Sequence, residues 1–486
     1  MRDEVGVDRG LVAGDEPARG SSGPPLAAPT LPEEGPKPAR ITYLDFWRGT
    51  FALFMVSVHA INFWVRPSRL ARFRWFVRFM DSVPAGFFIL MGISFVVSRA
   101  TAPPSRVRAA EKYAGKGIAL LFMGFSLSLF NSAWLWPFSM TAFDIFHYLG
   151  FTYFAFSLIV LAAPRSRWAS RWRASGYLLA SVLSLVAYPL VRVLLWEVSL
   201  VDQNSLVEFL LRSVYYRGVF PVIPWWFYTF LGGFLGHVLL WARQGAPASH
   251  LSGKARVTKR ELAFGGGLLV AGLLAGLAFR FIPWGFRPPW GPFVKFMGVT
   301  FEYLAFALAA ALLTGGVLFF GWLALAAVGK PPTTRQTGLF SLYSKYSLAA
   351  FYVPWMIAAP VHVLWWRYSL GVPSVLAAAA ALNGGFYLGL RAWDARSRAT
   401  GGFDRLTRVL WRRPAATVAV AGIQFGLQAW AYYAYANCLS PWFFWAGAVV
   451  NFSFAAFFNA RAGELAWRNG GEVARRGGER RRTEKK

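Results

Sequence analysis

The chain contains almost no cysteine and few charged residues. Cys438 is the only cysteine among 486 residues. One cysteine excludes an intrachain disulfide and any zinc or iron–sulfur site built from several cysteines. Charged residues make up 15% of the chain, against roughly 25% in ordinary soluble domains, while 56% of its residues are hydrophobic. A soluble fold of this length could not bury so much apolar surface, so the composition predicts a polytopic membrane protein.

Acidic residues are scarce relative to basic ones. The chain has 22 Asp and Glu against 51 Lys and Arg, which gives a formal net charge of +29. The basic residues lie in short loops between apolar stretches and not on one continuous face. That distribution is typical of proteins oriented in a membrane and in contact with anionic lipid headgroups. We therefore expect membrane lipids as partners and no nucleic acid.

Twelve apolar stretches of helical length predict about twelve transmembrane helices in an all-α bundle. The eighth stretch is long enough to be bent or broken at Gly315-Gly316. The twelve predicted spans are 43–64, 83–98, 118–136, 142–163, 176–196, 219–241, 262–282, 297–328, 346–366, 371–390, 414–436 and 441–460.

The two ends of the chain are polar. Residues 1–40 are rich in Gly, Pro, Ala and acidic residues and lack the apolar run of a signal peptide, which predicts a disordered tail. Residues 464–486 form a basic tail. Most of the positive charge lies in this tail and in the loops after even-numbered spans, so both termini are predicted to be cytoplasmic. The Ala-, Arg- and Gly-rich composition suggests a bacterium with GC-rich DNA, and hence its cytoplasmic membrane.

The first predicted span carries three ionisable residues, Asp45, Arg48 and His59. Such groups are costly in a membrane unless they are paired or face water. Asp45 and Arg48 are three residues apart and can pair on one helical face. His59 lies eleven residues beyond Arg48, which returns it to nearly the same face at a depth roughly 16 Å further along the axis. The group is interpreted either as a structural ion pair with a core histidine or as a functional site.

Asp144 and His147, at the start of the fourth span, are also three residues apart. An aspartate that orients a histidine is the usual arrangement of a general base, but Asp144 in this position could equally cap the helix. Both interpretations can hold together. Glu302 and His362 are weaker candidates at the same predicted level. No ladder of His and carboxylate residues has metal-ligand spacing, so no metal site is predicted.

Four segments together resemble a known family of membrane enzymes. Arg48 and His59, separated by ten residues and preceded by Leu-Asp-Phe-Trp, resemble the signature of the transmembrane acyltransferase superfamily, which contains heparan-alpha-glucosaminide N-acetyltransferase and the bacterial acyltransferase-3 proteins. Similar segments follow at Pro84–Ser94, Phe143–Gly150 and Pro224–Gly236. A later segment, from Ser347, has Pro354 where related proteins carry a histidine, so the role of that histidine is not carried over.

The resemblance implies an enzyme that uses acyl-CoA, with acetyl-CoA as the first expectation, as co-substrate and binds no cofactor permanently. It implies that Arg48, supported by Asp45, holds the donor, and that His59 deprotonates the acceptor or positions the acyl carbonyl. Asp144 and His147 would line the acceptor side. The implied acceptor is a hydroxyl or amine of a sugar or glycolipid at the outer face.

The same resemblance suggests a division of the chain. A ten-helix acyltransferase-like domain would span residues 41–395, and two additional helices would occupy 396–463, between the two cytoplasmic tails. The oligomeric state is left open, with a homodimer as one option. Two other functions are compatible with the residues: a transporter or flippase for a polar lipid or sugar, and a non-catalytic membrane scaffold with the same fold.

Overall fold

The computed structural model describes residues 42–65, 79, 82–101, 106–134, 144–162, 169–194, 220–243, 258–281, 292–327, 338–361 and 370–400. Within them the chain forms eleven α-helices, which confirms the predicted all-α class. These helices are α1 (Thr42–Trp64), α2 (Val83–Thr101), α3 (Arg106–Trp134), α4 (Ile145–Ala162), α5 (Ala169–Leu194), α6 (Val222–Ala242), α7 (Lys259–Phe281), α8 (Pro292–Ala327), α9 (Gly338–Lys345), α10 (Ser347–Val361) and α11 (Val372–Thr400). The last two predicted spans and both predicted tails lie outside the described residues.

Six helices are long and apolar enough to cross a membrane: α2, α4, α6, α7, α8 and α11. With the apolar composition, they identify the chain as an integral membrane protein. The predicted total of twelve spans and the cytoplasmic termini stay predictions.

The eighth span was expected to be bent or broken at Gly315-Gly316, and it is not broken there, because α8 runs through both glycines as one helix. The two glycines serve helix packing instead. A Cβ atom at Gly315 would lie 2.3 Å from Cζ2 of Trp47, and one at Gly316 would lie 2.6 Å from Cδ2 of Leu269. Both glycines therefore let neighbouring helices approach α8 closely, as small residues do in membrane proteins.

Helix α1 is central to the bundle, where it packs against α2, α8, α9, α10 and α11. Its ionisable residues are thereby directed into protein and away from lipid, as the cost of burying charge in hydrocarbon requires. Trp47 and Phe51 of this helix are fully buried.

Helices α9 and α10 run beside α1 in the same direction. At the beginning of α1, the Ser344 hydroxyl donates to Oδ1 of Asp45 at 3.0 Å. Near its end, Nε1 of Trp64 donates to the carbonyl oxygen of Ala358 at 3.2 Å. The sequence offset between partners is therefore nearly constant, which fixes the two segments in a parallel register.

Candidate functional site

The Arg48 side chain is held by polar groups from three helices. Its Nη1 atom lies 3.5 Å from Oδ1 of Asp45 and 3.5 Å from Oγ of Ser344. Its Nη2 atom donates a hydrogen bond to Oγ of Ser94 on α2. Asp45 is the more buried partner of the ion pair, with 13% of its side chain exposed against 26% for Arg48. The guanidinium is thus fixed in position while part of it stays accessible.

Arg48 lines a cavity of about 350 Å³. The walls come from α1, α2, α3, α4 and α10. On both α2 and α3 the first and last lining residues are eleven residue steps apart, Phe87 to Ser98 and Lys112 to Met123. At about 1.5 Å per residue the cavity is roughly 16 Å long. It can therefore hold an elongated ligand.

The two ends of the cavity differ in polarity. Three cationic side chains, Arg48, Lys112 and Lys116, line one part together with Ser94 and Ser98. The other end is apolar and aromatic. Its lining includes Phe87, Phe88, Met123, Ile145 and Phe351. No carboxylate lines the cavity among the residues that the structure describes. Such a lining suits a ligand with an anionic end and an uncharged end.

His59 lies beyond the apolar end of the cavity. It is 6% exposed, and its Nδ1 atom is buried with no hydrogen-bond partner among the described residues. Its ring meets that of Trp355 edge to face, with centroids 4.9 Å apart. Ser347 and Phe351 line the cavity and precede Trp355 at intervals of four residues on α10, so all three lie on one helical face. One face of α10 thus connects the cavity of Arg48 with the imidazole of His59.

Asp144 both caps α4 and contacts His147, so the two interpretations of this pair are compatible. Its Oδ1 atom accepts hydrogen bonds from the backbone N–H groups of Phe146 at 2.9 Å and His147 at 3.3 Å. The same oxygen lies 3.1 Å from Nδ1 of His147. The His147 ring is fully buried against Gly124 of α3.

Of the candidate residues that it describes, the structure brings only two together at the cavity. Asp45 and Arg48 lie together at the polar part of the cavity, whereas neither His59 nor His147 lines it. Glu302 belongs to α8, but its side chain and the whole of His362 lie outside the described residues. In the described part of the chain, no three His, Cys, Asp or Glu residues are grouped as metal ligands would be.

Four residues of the site were not identified from the sequence: Ser94, Lys112 and Lys116, which line the cavity, and Ser344, which contacts Arg48. The two lysines counted only as loop charges before the third span. Their spacing of four residues was the available signal, since it places both on one face if the helix begins early. Helix α3 does begin at Arg106, twelve residues before the predicted apolar span. No pattern in the sequence distinguishes Ser94 and Ser344 from the other serines.

Comparison with known proteins bears on one part of the chain. Residues 40–267, just under half of the sequence, match the family model described as heparan-alpha-glucosaminide N-acetyltransferase, catalytic. No curated protein and no solved structure matches the chain. The match confirms the resemblance predicted from the sequence. The segment that holds Arg48, His59, Asp144 and His147 is therefore similar to the catalytic segment of heparan-alpha-glucosaminide N-acetyltransferase.

Proposed function

We propose that the chain transfers an acyl group from cytoplasmic acyl-CoA to a hydroxyl or amine of a sugar or glycolipid at the outer face of the membrane. Acetyl-CoA is the expected donor. One observation carries the proposal: a cavity lined by Arg48, which belongs to the segment similar to an acetyltransferase, leads along one face of α10 towards His59 of the same segment.

The cavity supports the donor part of the proposal. Its polar part is lined by the beginning of α1 and the end of α2, which the predicted orientation places on the cytoplasmic side. A donor that enters there would reach Arg48 before it reaches His59. The fixed guanidinium can donate hydrogen bonds to an oxygen of the donor, either of a phosphate or of the acyl carbonyl.

His59 supports the transfer step. A neutral imidazole with an unpartnered nitrogen can accept the proton of an acceptor O–H or N–H group. The acceptor oxygen or nitrogen then attacks the thioester carbonyl carbon, and the carbon–sulfur bond breaks. The departing sulfur takes the proton from His59 and leaves as the free thiol of CoA. The acyl group is now an ester or amide of the acceptor, and His59 is neutral again.

Asp144 and His147 would act on the acceptor side in this scheme. The predicted orientation places the start of α4 at the outer face, in the same half of the membrane as His59. The contact between Asp144 and His147 fixes the orientation of the imidazole, which is what a group that positions an acceptor requires.

The test uses membrane vesicles from cells that produce the full chain. Acetyl-CoA labelled in its acetyl group is added to inside-out vesicles, whose cytoplasmic face is accessible, and to right-side-out vesicles. We expect release of the CoA thiol and labelled sugar or glycolipid from the inside-out vesicles only. His59→Ala should abolish both signals at an equal level of protein.

A His59→Ala protein that transfers acetyl groups as fast as the wild type would overturn the proposed role of His59. The acyltransferase proposal as a whole is contradicted if neither vesicle type releases the thiol, and if the chain unfolds cooperatively but is not stabilised by acetyl-CoA. Movement of a sugar or lipid across the vesicle membrane without thiol release would favour the transporter instead.

A further inference from the structure

We propose that Lys112 and Lys116 bind the phosphate groups of the acyl-CoA donor at the polar end of the cavity, in the part that Arg48 also lines. This inference rests on the proposed function, since it assigns one end of the donor to residues outside the recognised signature. It orients the donor in the cavity, with its phosphates at the two lysines and its acyl group towards His59.

The two lysines form a pair on one face of α3. They are four residues apart, and both line the cavity. The ammonium group of Lys116 lies 5.6 Å from the centroid of the Tyr153 ring on α4. Beside them the hydroxyl groups of Ser98 and Tyr113 are 3.1 Å apart in a hydrogen bond. The site therefore offers two ammonium groups with hydroxyl groups next to them, all reachable from the cavity.

The positive charge of this site is not compensated within the described residues. Neither lysine makes an ion pair with a carboxylate there, whereas Lys345 is paired with Asp394. Lys112 and Lys116 are both half-buried. On α2, next to Ser98, the Nη1 atom of Arg99 is buried and has no hydrogen-bond partner in the part of the chain that the structure describes. Half-buried cations without a counter-charge are unfavourable, and an anion bound between them removes that cost.

The dimensions of the cavity point to phosphates on an elongated molecule. Lys112 and Met123 are separated by about 16 Å along α3. A ligand whose phosphates contact Lys112 and Lys116 would thus reach the apolar end with an uncharged chain. Acyl-CoA has this construction, with its phosphates at one end and the pantetheine arm and thioester at the other. A phospholipid headgroup has the same phosphate chemistry but continues into two acyl chains.

The experiment compares donors with progressively fewer phosphates: acetyl-dephospho-CoA lacks only the 3′-phosphate, and S-acetyl-4′-phosphopantetheine also lacks the adenosine monophosphate. Dissociation constants are measured for acetyl-CoA, acetyl-dephospho-CoA and S-acetyl-4′-phosphopantetheine by competition with labelled acetyl-CoA on the purified full chain. In the wild type, affinity should fall at least tenfold from the first of these donors to the last. In Lys112→Ala/Lys116→Ala, acetyl-CoA should bind at least tenfold more weakly, and acetyl-CoA and acetyl-dephospho-CoA should bind within about threefold of each other.

Lys259→Ala is the matched control, because Lys259 is an exposed lysine at the start of α7 and outside the cavity. It should leave all three constants unchanged. The inference is overturned if the double variant still folds and distinguishes the three donors as the wild type does. It is also overturned if phosphatidylglycerol stabilises the wild type, but not the double variant, and displaces acetyl-CoA, since the site would then hold lipid. If acetyl-CoA binds to no variant, including the wild type, the proposed function itself fails.

Discussion

His59 and Trp355 meet edge to face, with ring centroids 4.9 Å apart and ring planes at 88°. The two residues are 296 positions apart, and Trp355 lies outside the segment that matches the acetyltransferase family. The orientation of the most deeply placed candidate base therefore depends on a helix that the family match does not include.

Replacing Trp355 should slow transfer without weakening donor binding. An edge-to-face aromatic pair contributes about 0.5–1.5 kcal/mol, so its loss in Trp355→Ala should lower kcat by about three- to tenfold as the His59 ring loses its fixed orientation. Trp355→Phe keeps an aromatic ring and should retain most of the activity. Trp393→Ala, at an exposed tryptophan on α11, is the control. Equal kcat values for the Trp355→Ala and Trp393→Ala proteins would contradict the proposed role.

Ser94→Ala should weaken donor binding, because the Arg48 guanidinium loses one of the hydrogen bonds that hold it. Hydrogen bonds to charged groups contribute about 1.5–3 kcal/mol, and the partial exposure of Arg48 favours the lower end. We expect about a tenfold higher KM for acetyl-CoA with kcat within about twofold. Ser184→Ala removes a buried hydroxyl that donates to the Ala180 carbonyl oxygen of its own helix and should leave KM unchanged. An unaltered KM in Ser94→Ala would show that Arg48 does not depend on Ser94.

Donor affinity should fall as the pH rises through about 8. Burial and the neighbouring Lys116 lower the pKa of Lys112 to about 8, so its ammonium group loses its proton in this range. The other groups that line this part of the cavity are Arg48 from α1 and the hydroxyls of Tyr113 and Tyr153. We expect the dissociation constant of acetyl-CoA to rise about tenfold between pH 7 and 9.5. The phosphates are fully ionised there, because their second pKa is about 6.

The matched variant for this pH dependence is Lys112→Arg. A guanidinium stays charged throughout the range, so the dissociation constant of this variant should rise less with pH than that of the wild type. If the dissociation constant changes with pH in the same way in the wild type and in Lys112→Arg, a group other than Lys112 causes the pH dependence.

Gly124→Ala should disturb His147. A Cβ atom at Gly124 would lie 2.7 Å from Cε1 of His147, which is too close unless the ring or α3 shifts. Overpacking of this kind costs about 1–3 kcal/mol, and the displaced ring should lower transfer at least tenfold with donor affinity unchanged. Gly115→Ala on the same helix meets no atom within 4 Å and should keep full activity. The role of His147 on the acceptor side is refuted if both variants transfer equally well.

The sequence predicted where the helices begin and end better than which helices pack against one another. Apolar length placed α1 at 43–64, within a residue of the observed helix, because hydrocarbon thickness sets that length. The alternation of loop charges implied that the first and ninth spans run in the same direction, as α1 and α10 do. It could not show that they are adjacent, because contacts between distant helices depend on side-chain packing. The sequence therefore could not identify Ser344 as a partner of Asp45, or Trp355 as a partner of His59.

The residues of the candidate site likewise differ in how far the sequence could identify them. Arg48 and His59 were recognisable because charge and imidazole groups are rare in apolar spans. Lys112 and Lys116 were not, since basic residues at the end of a span are expected for orientation alone. Only the extension of α3 beyond its apolar part, into the helical turns that line the cavity, distinguishes them from the other loop lysines.

The parallel arrangement of α1 with α9 has a consequence for biosynthesis. Asp45 leaves the ribosome 299 residues before Ser344, which donates a hydrogen bond to it in the finished bundle. At about 5–20 residues per second, roughly 15–60 s separate the two events. During that interval the first helix must be held by other helices or by the insertion machinery. A truncated chain that ends before α9 should accordingly be a substrate for membrane quality control.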